Sequence, residues 1–188
     1  MIARPILAVL LGVLTAGLAG AGQEKKAGKR PPVAVTYYLA GIDDAGARDA
    51  LGAALTKVKG VVSAAVAPRG EHVTVRFDSH VVSYHQVAQA ITDADRRYAP
   101  TLKIQVPAYA EGDNAAKVDA LFAGKRLNQR VRIAPLDKAR GEFVIHFLPL
   151  ELDPAVSGPQ GFNGGHLNHP VHDAPPRGLG LTFRYVAE

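Results

Sequence analysis

The stretch Gly164-Gly165-His166-Leu167-Asn168-His169-Pro170-Val171-His172-Asp173 places three of the chain's seven histidines at every third position and follows the last with an aspartate. Imidazole nitrogen suits borderline divalent ions. Three histidines and a carboxylate complete a tetrahedral or tetragonal site for Zn(II), Cu(II) or Ni(II) without sulfur. His166, His169, His172 and Asp173 are therefore the candidate metal ligands. Pro170 argues against a regular helix here, because proline inside a helix removes a donor and clashes with the preceding turn. A polyproline-like or turn conformation with three residues per turn would align the rings. The same side chains also have a plainer use. Bonded to backbone carbonyls or to Asp173, they would pin a Pro/Gly-rich segment across a sheet.

No other pattern supplies a reaction. The chain lacks the Gly-x-Ser-x-Gly elbow, the phosphate-cradling Gly-x-x-x-x-Gly-Lys and the His-Glu-x-x-His pair. Gly161-Phe162-Asn163-Gly164-Gly165 is glycine-rich, but it reads as neither following a strand nor opening a helix, so a nucleotide site is not expected. No catalytic residue and no enzymatic activity are assigned.

The elements that would carry the histidine segment read as α+β. Val33 to Leu39 is β-branched and aromatic and predicts a strand. Ala47, Ala50, Leu51, Ala54, Leu55 and Val58 recur at helical spacing, with Asp43 and Asp44 where an N-cap belongs and Gly60 as the stop. Val61 to Ala67 and His72 to Phe77 flank the turn Pro68-Arg69-Gly70 and predict a hairpin. Ser83 caps a second amphipathic helix carrying Tyr84, Val87, Ala88 and Ile91, and Thr101 to Val106 alternates as a fourth strand ended by Pro107. This strand-helix-strand-strand-helix-strand order is the βαββαβ arrangement of a ferredoxin-like sandwich.

Gly41-Ile42-Asp43-Asp44-Ala45-Gly46-Ala47, the apolar helix after it and the step Lys59-Gly60-Val61 resemble the heavy-metal-associated domain of copper chaperones, mercuric-transport proteins and metal-pumping ATPases. The resemblance spans Val33 to Val106 and implies a ferredoxin-like fold with a metal held at the helix N-terminus. In that family the turn reads Gly-Met-Thr-Cys-x-x-Cys. Here the cysteine positions fall on Asp44 and Ala47. Soft ions such as Cu(I) require thiolate or thioether sulfur, and this chain has no cysteine and only the initiating methionine. Asp44 is better read as the helix cap, and the domain as a degenerate member that lacks the Cys-x-x-Cys pair.

Beyond Pro107, a shift of 70 positions aligns Asp113 with Asp43, Asp119-Ala120-Leu121 with Asp49-Ala50-Leu51, and Val131 with Val61. A one-residue slip then aligns Arg140-Gly141-Glu142 with Arg69-Gly70-Glu71. The second half reads as a diverged copy with a helix at 114–123 and strands at 129–134 and 142–148. The expected organisation is a ferredoxin-like domain at 33–107 and a second αββ-loop-β unit at 108–188. Its long loop, 153–176, holds the histidines and precedes a last strand at 180–186. Whether Thr101 to Val106 belongs to one unit, the other or both is open.

The N-terminus reads as a secretory signal peptide, residues 1–21: Arg4, an apolar run from Ile6 to Leu14, and Ala19-Gly20-Ala21 as the cleavage site. An uncleaved membrane anchor is the alternative. Residues 22–32, with Lys25, Lys26, Lys29 and Arg30, form a flexible tether. Export places the protein in the periplasm or outside the cell, and the absence of cysteine leaves burial as the source of stability. The net charge of +5 is scattered, with no basic helix and no interleaved aromatics, so a nucleic-acid partner is not expected. The partners implied are a divalent ion and, alternatively, an envelope protein.

Overall fold

The computed structural model describes residues 31–42 and 44–187. The expected signal peptide and nearly all of the tether lie outside them. The first circuit follows the predicted order: β1 (Val33–Tyr38), α1 (Ala45–Thr56), β2 (Val61–Val66), β3 (His72–Phe77), α2 (Tyr84–Ala94) and β4 (Thr101–Gln105). The strands pair antiparallel in the order β2-β3-β1-β4, which is the ferredoxin-like order. The helices form where apolar spacing and caps agree. Leu51 and Leu55 are buried on α1, and Tyr84, Val87, Ala88 and Ile91 on α2.

The chain continues through α3 (Asn114–Phe122), α4 (Lys125–Asn128), β5 (Val131–Asp137), β6 (Glu142–Phe147), α5 (Gly165–His172) and β7 (Arg184–Tyr185). One edge of β4 pairs with β6 from Thr101↔His146 to Gln105↔Glu142. Its other edge is divided. Thr101 faces Tyr38 of β1, while Ile104 and Gln105 face Tyr185 and Arg184 of β7. β4 thus ends one βαββαβ circuit and begins another, and the pairing β5-β6-β4-β7 repeats β2-β3-β1-β4. All seven strands make one sheet.

Pleating sends alternate side chains to opposite faces. Val35, Tyr37, Val73, Val75, Phe77, Leu102, Ile104, Phe143 and Ile145 are buried in one core with Leu51, Leu55, Val87, Ile91, Val118, Phe122 and Leu167 from the helices. An aromatic seam joins the two circuits. The Tyr84 ring lies edge-on to Phe77 at 5.3 Å, to Tyr185 at 5.5 Å and to Phe162 at 6.4 Å. The Tyr37 hydroxyl donates to the Tyr84 carbonyl at 3.0 Å. Each edge-to-face pair adds a specific geometry to the area it buries.

Three expectations are corrected. The histidine run is helical: α5 includes Pro170. The missing Pro170 N–H leaves only the His166 carbonyl without its helical donor, and the chain that follows satisfies the carbonyls at the other end. Leu179 N–H donates to Pro170 O, Leu181 N–H to Val171 O and Gly180 N–H to Asp173 O. That docking also shortens the last strand. Residues 179–181 are bonded to α5, so the strand is reduced to Arg184 and Tyr185, with the Val186 N–H donating to the Lys103 carbonyl of β4 at 2.9 Å. The glycine-rich stretch does open a helix, since Gly164 is the N-cap residue of α5.

Candidate functional site

On a helix, positions i, i+3 and i+6 sweep about 120° of the surface, so three rings at this spacing do not converge. The structure shows what each does instead. His166 Nδ1 accepts the Asn163 N–H at 3.0 Å, and its ring stacks on Phe162 with centroids 5.8 Å apart. Burial, reinforced by the Arg130 charge, holds its pKa below the ordinary histidine value. His172 Nδ1 lies 2.8 Å from the Leu181 carbonyl, and its ring stacks on Phe183 at 5.1 Å. His169 is exposed, with Nδ1 3.6 Å from Asp173 Oδ2. The fold brings together His169 and Asp173 and ties His166 and His172 to separate backbone partners. Among the described residues no group of three or more His, Cys, Asp or Glu side chains is placed to hold a metal ion.

The turn at Gly41 fits a metal no better. Asp44 caps α1, its carboxylate accepting the Gly46 N–H at 3.2 Å and the Ala47 N–H at 3.0 Å. The hollow beside it, about 300 Å³, is lined by Ala40, Gly41, Ile42, Asp44, Ala47, Arg97 and Tyr98. No sulfur faces it, and the guanidinium on its wall repels a cation. Arg97 is itself bonded to Asp95, whose carboxyl it pulls down to about 2, chiefly through that side-chain hydrogen bond.

The histidine most deeply involved in the fold is His85, on α2, which spacing alone did not single out. It is buried, 1% exposed. Its Nε2 lies 2.6 Å from the Leu148 carbonyl beyond β6, and its Nδ1 accepts the Phe162 N–H at 3.3 Å. This pairing requires the neutral tautomer with the proton on Nε2. Desolvation, partly opposed by the Leu148 bond, lowers its pKa. One residue earlier, the Tyr84 hydroxyl lies so close to Gly164 that a β-carbon there would stand 3.0 Å from it. Asn163 Oδ1 accepts the Gly165 N–H at 3.0 Å. A hollow of about 500 Å³, lined in part by Tyr84, Asn163, Gly164, Gly165 and Asn168, borders the start of α5, but no strand leads into it.

No family model matches the chain, and no curated protein matches it. Among solved structures, the water-soluble region of the P-type ATPase CopA from Bacillus subtilis is 18% identical over 82% of this chain and 91% of that one, with a TM-score of 0.38. The N-terminal soluble domains of the same Bacillus subtilis protein are 15% identical over 66% and 83%, with a TM-score of 0.32. Likeness at this level carries no residue role across. No described helix is long and apolar enough to cross a membrane.

Proposed function

We propose that the protein is an exported, non-catalytic interaction module that keeps a heavy-metal-associated type of fold without its metal. The observation that supports this reading is the commitment of the histidines to the architecture: the Leu181 carbonyl takes His172, the Asn163 amide takes His166, and Leu148 and Phe162 take His85. A bond through Nδ1 alone leaves Nε2 of a ring able to bind a metal, but these partners hold the rings apart, and among the described residues no three such groups converge. Calorimetric titration with Zn(II) or Cu(II) tests it. The expected result is no binding tighter than about millimolar, equivalent to ~4 kcal/mol.

The second reading is a Zn(II), Cu(II) or Ni(II) site at His166, His169, His172 and Asp173, formed if the 179–181 segment lifts from α5. The 3.6 Å approach of His169 to Asp173 favours it. Micromolar binding abolished by His169→Ala would establish that reading in place of the first.

A further inference from the structure

The face of the sheet away from the helices carries Arg76 on β3, Arg132 on β5 and Arg184 on β7. Register sets them opposite Ala34, His146 and Gln105 respectively. All three are exposed. Glu142, opposite Gln105, and Asp137, opposite Glu142, are the carboxylates that the strands place on this side, both at the Gln105 end of β6. Arg184 is held in position, its Nε and one terminal nitrogen both donating to Gln105 Oε1. β1, β4 and β6 separate β3 from β5. At ~4.8 Å per strand the Arg76 and Arg132 positions are on the order of 20 Å apart. No small anion spans that distance; an extended polymer does.

We infer that this face receives an acidic segment of a protein partner, anchored at Arg76 and Arg132 with Arg184 between the two circuits. The inference rests on the interaction-module reading and names the chemistry of its partner. Two features favour carboxylates over nucleic acid. Tyr38, the aromatic ring of this face, is 8% exposed and has Lys103 Nζ 3.5 Å from its centroid, so no bare platform is left for a base to stack on. Guanidiniums spaced this widely also do not follow a phosphate backbone, whose charges recur every few ångströms. Exposed arginine is enriched at protein interfaces, and the guanidinium fork grips a carboxylate with two bonds.

Fluorescence anisotropy of a labelled Glu-Ser repeat peptide, titrated with the full chain at low and physiological ionic strength, tests the assignment. Binding that weakens with salt and falls at least tenfold in Arg76→Glu/Arg132→Glu supports it. The matched control is Lys125→Glu/Arg126→Glu, an equal charge change on exposed residues of α4, which should leave the affinity unchanged. Unaltered thermal midpoints show that both variants fold. Equal losses in both variants, no peptide binding at low salt, or tighter binding of a labelled oligothymidylate would each overturn it. Peptide binding indifferent to Arg76 and Arg132 would remove this face but keep the interaction module. Tight Zn(II) binding with no peptide binding would remove both.

Discussion

His85 and Phe162 are bonded to each other twice: the His85 N–H donates to the Phe162 carbonyl at 3.1 Å, and the Phe162 N–H donates to His85 Nδ1 at 3.3 Å. Gly161 stands so close that a β-carbon there would lie 2.7 Å from Nδ1. This reciprocal pair fastens the start of α2 to the segment between β6 and α5, and both residues are buried. Phe162 thus anchors the far end of this connection in the core, while residues 151–157 stay exposed.

Protonating His85 would put a hydrogen on Nδ1 directly opposite the Phe162 N–H. The folded pKa is lowered, so the unfolded chain binds the proton more readily. This contribution to stability is fully present above the unfolded value of about 6.5 and is lost as pH falls below it. His85→Phe should flatten that acid loss. It should also cost about 3 kcal/mol at neutral pH by stranding the Leu148 carbonyl and Phe162 amide. Urea midpoints at pH 7.5 and below pH 6, for both proteins, check the slope and the offset together.

Ser83 is the second fastening. Its hydroxyl accepts the Gln86 N–H and donates to the Gln160 carbonyl. Gln86 Oε1 accepts the Ser83 and Gln160 N–H groups at 2.9 and 3.0 Å. One capping box thus holds both a helix and a distant chain. An isolated N-cap lost to alanine costs about 1 kcal/mol, but losing the bond to the Gln160 carbonyl as well raises the expected loss for Ser83→Ala to about 2 kcal/mol. Hydrogen exchange should show faster opening of residues 157–162 in the variant.

The α5 histidines separate by partner. His172→Ala removes the bond to Leu181 and the Phe183 stack and should cost about 1 kcal/mol. His169→Ala removes an exposed pair at 3.6 Å and should stay within ~0.5 kcal/mol. Thermal unfolding of the two variants gives the ranking. Equal effects would show that the Leu181 contact is not what holds the 179–181 segment.

Local pattern was enough for α1, α2 and both hairpins, because the information lies within each segment: the Leu51/Leu55 stripe, the Ser83 cap, the alternation of Val73, Val75 and Phe77. It was not enough wherever a partner is far along the chain. His85 reads as an ordinary polar residue until residues 63 and 77 positions away close on it. Pro170 reads as a helix breaker, since nothing local shows that the chain after Arg177 returns to satisfy the carbonyls of α5. The doubled role of β4 depends on Tyr38 and Tyr185 dividing one strand edge, which no periodicity encodes.

The turn tripeptides Arg69-Gly70-Glu71 and Arg140-Gly141-Glu142 are the one alignment of the two halves with a physical cause that can be tested. Both glycines are buried at positive φ, +72° and +65°. A β-carbon would stand 2.3 Å from the Ile42 carbonyl oxygen in the first and 2.2 Å from that of Val106 in the second. Each hairpin turn therefore lies directly on the chain that leaves the first strand of its circuit. Backbone has no rotamer through which to escape, so Gly70→Ala and Gly141→Ala should each cost more than ~2 kcal/mol. Gly112→Ala supplies the comparison: it shares a positive φ of +54° but meets nothing within 4 Å, so it should show the cost of the backbone conformation alone, about 1 kcal/mol. Chemical denaturation of the three variants measures the difference. If Gly112→Ala were as costly as the other two, the close approach of turn to strand exit would contribute nothing, and the matching tripeptides would reflect only a shared turn type.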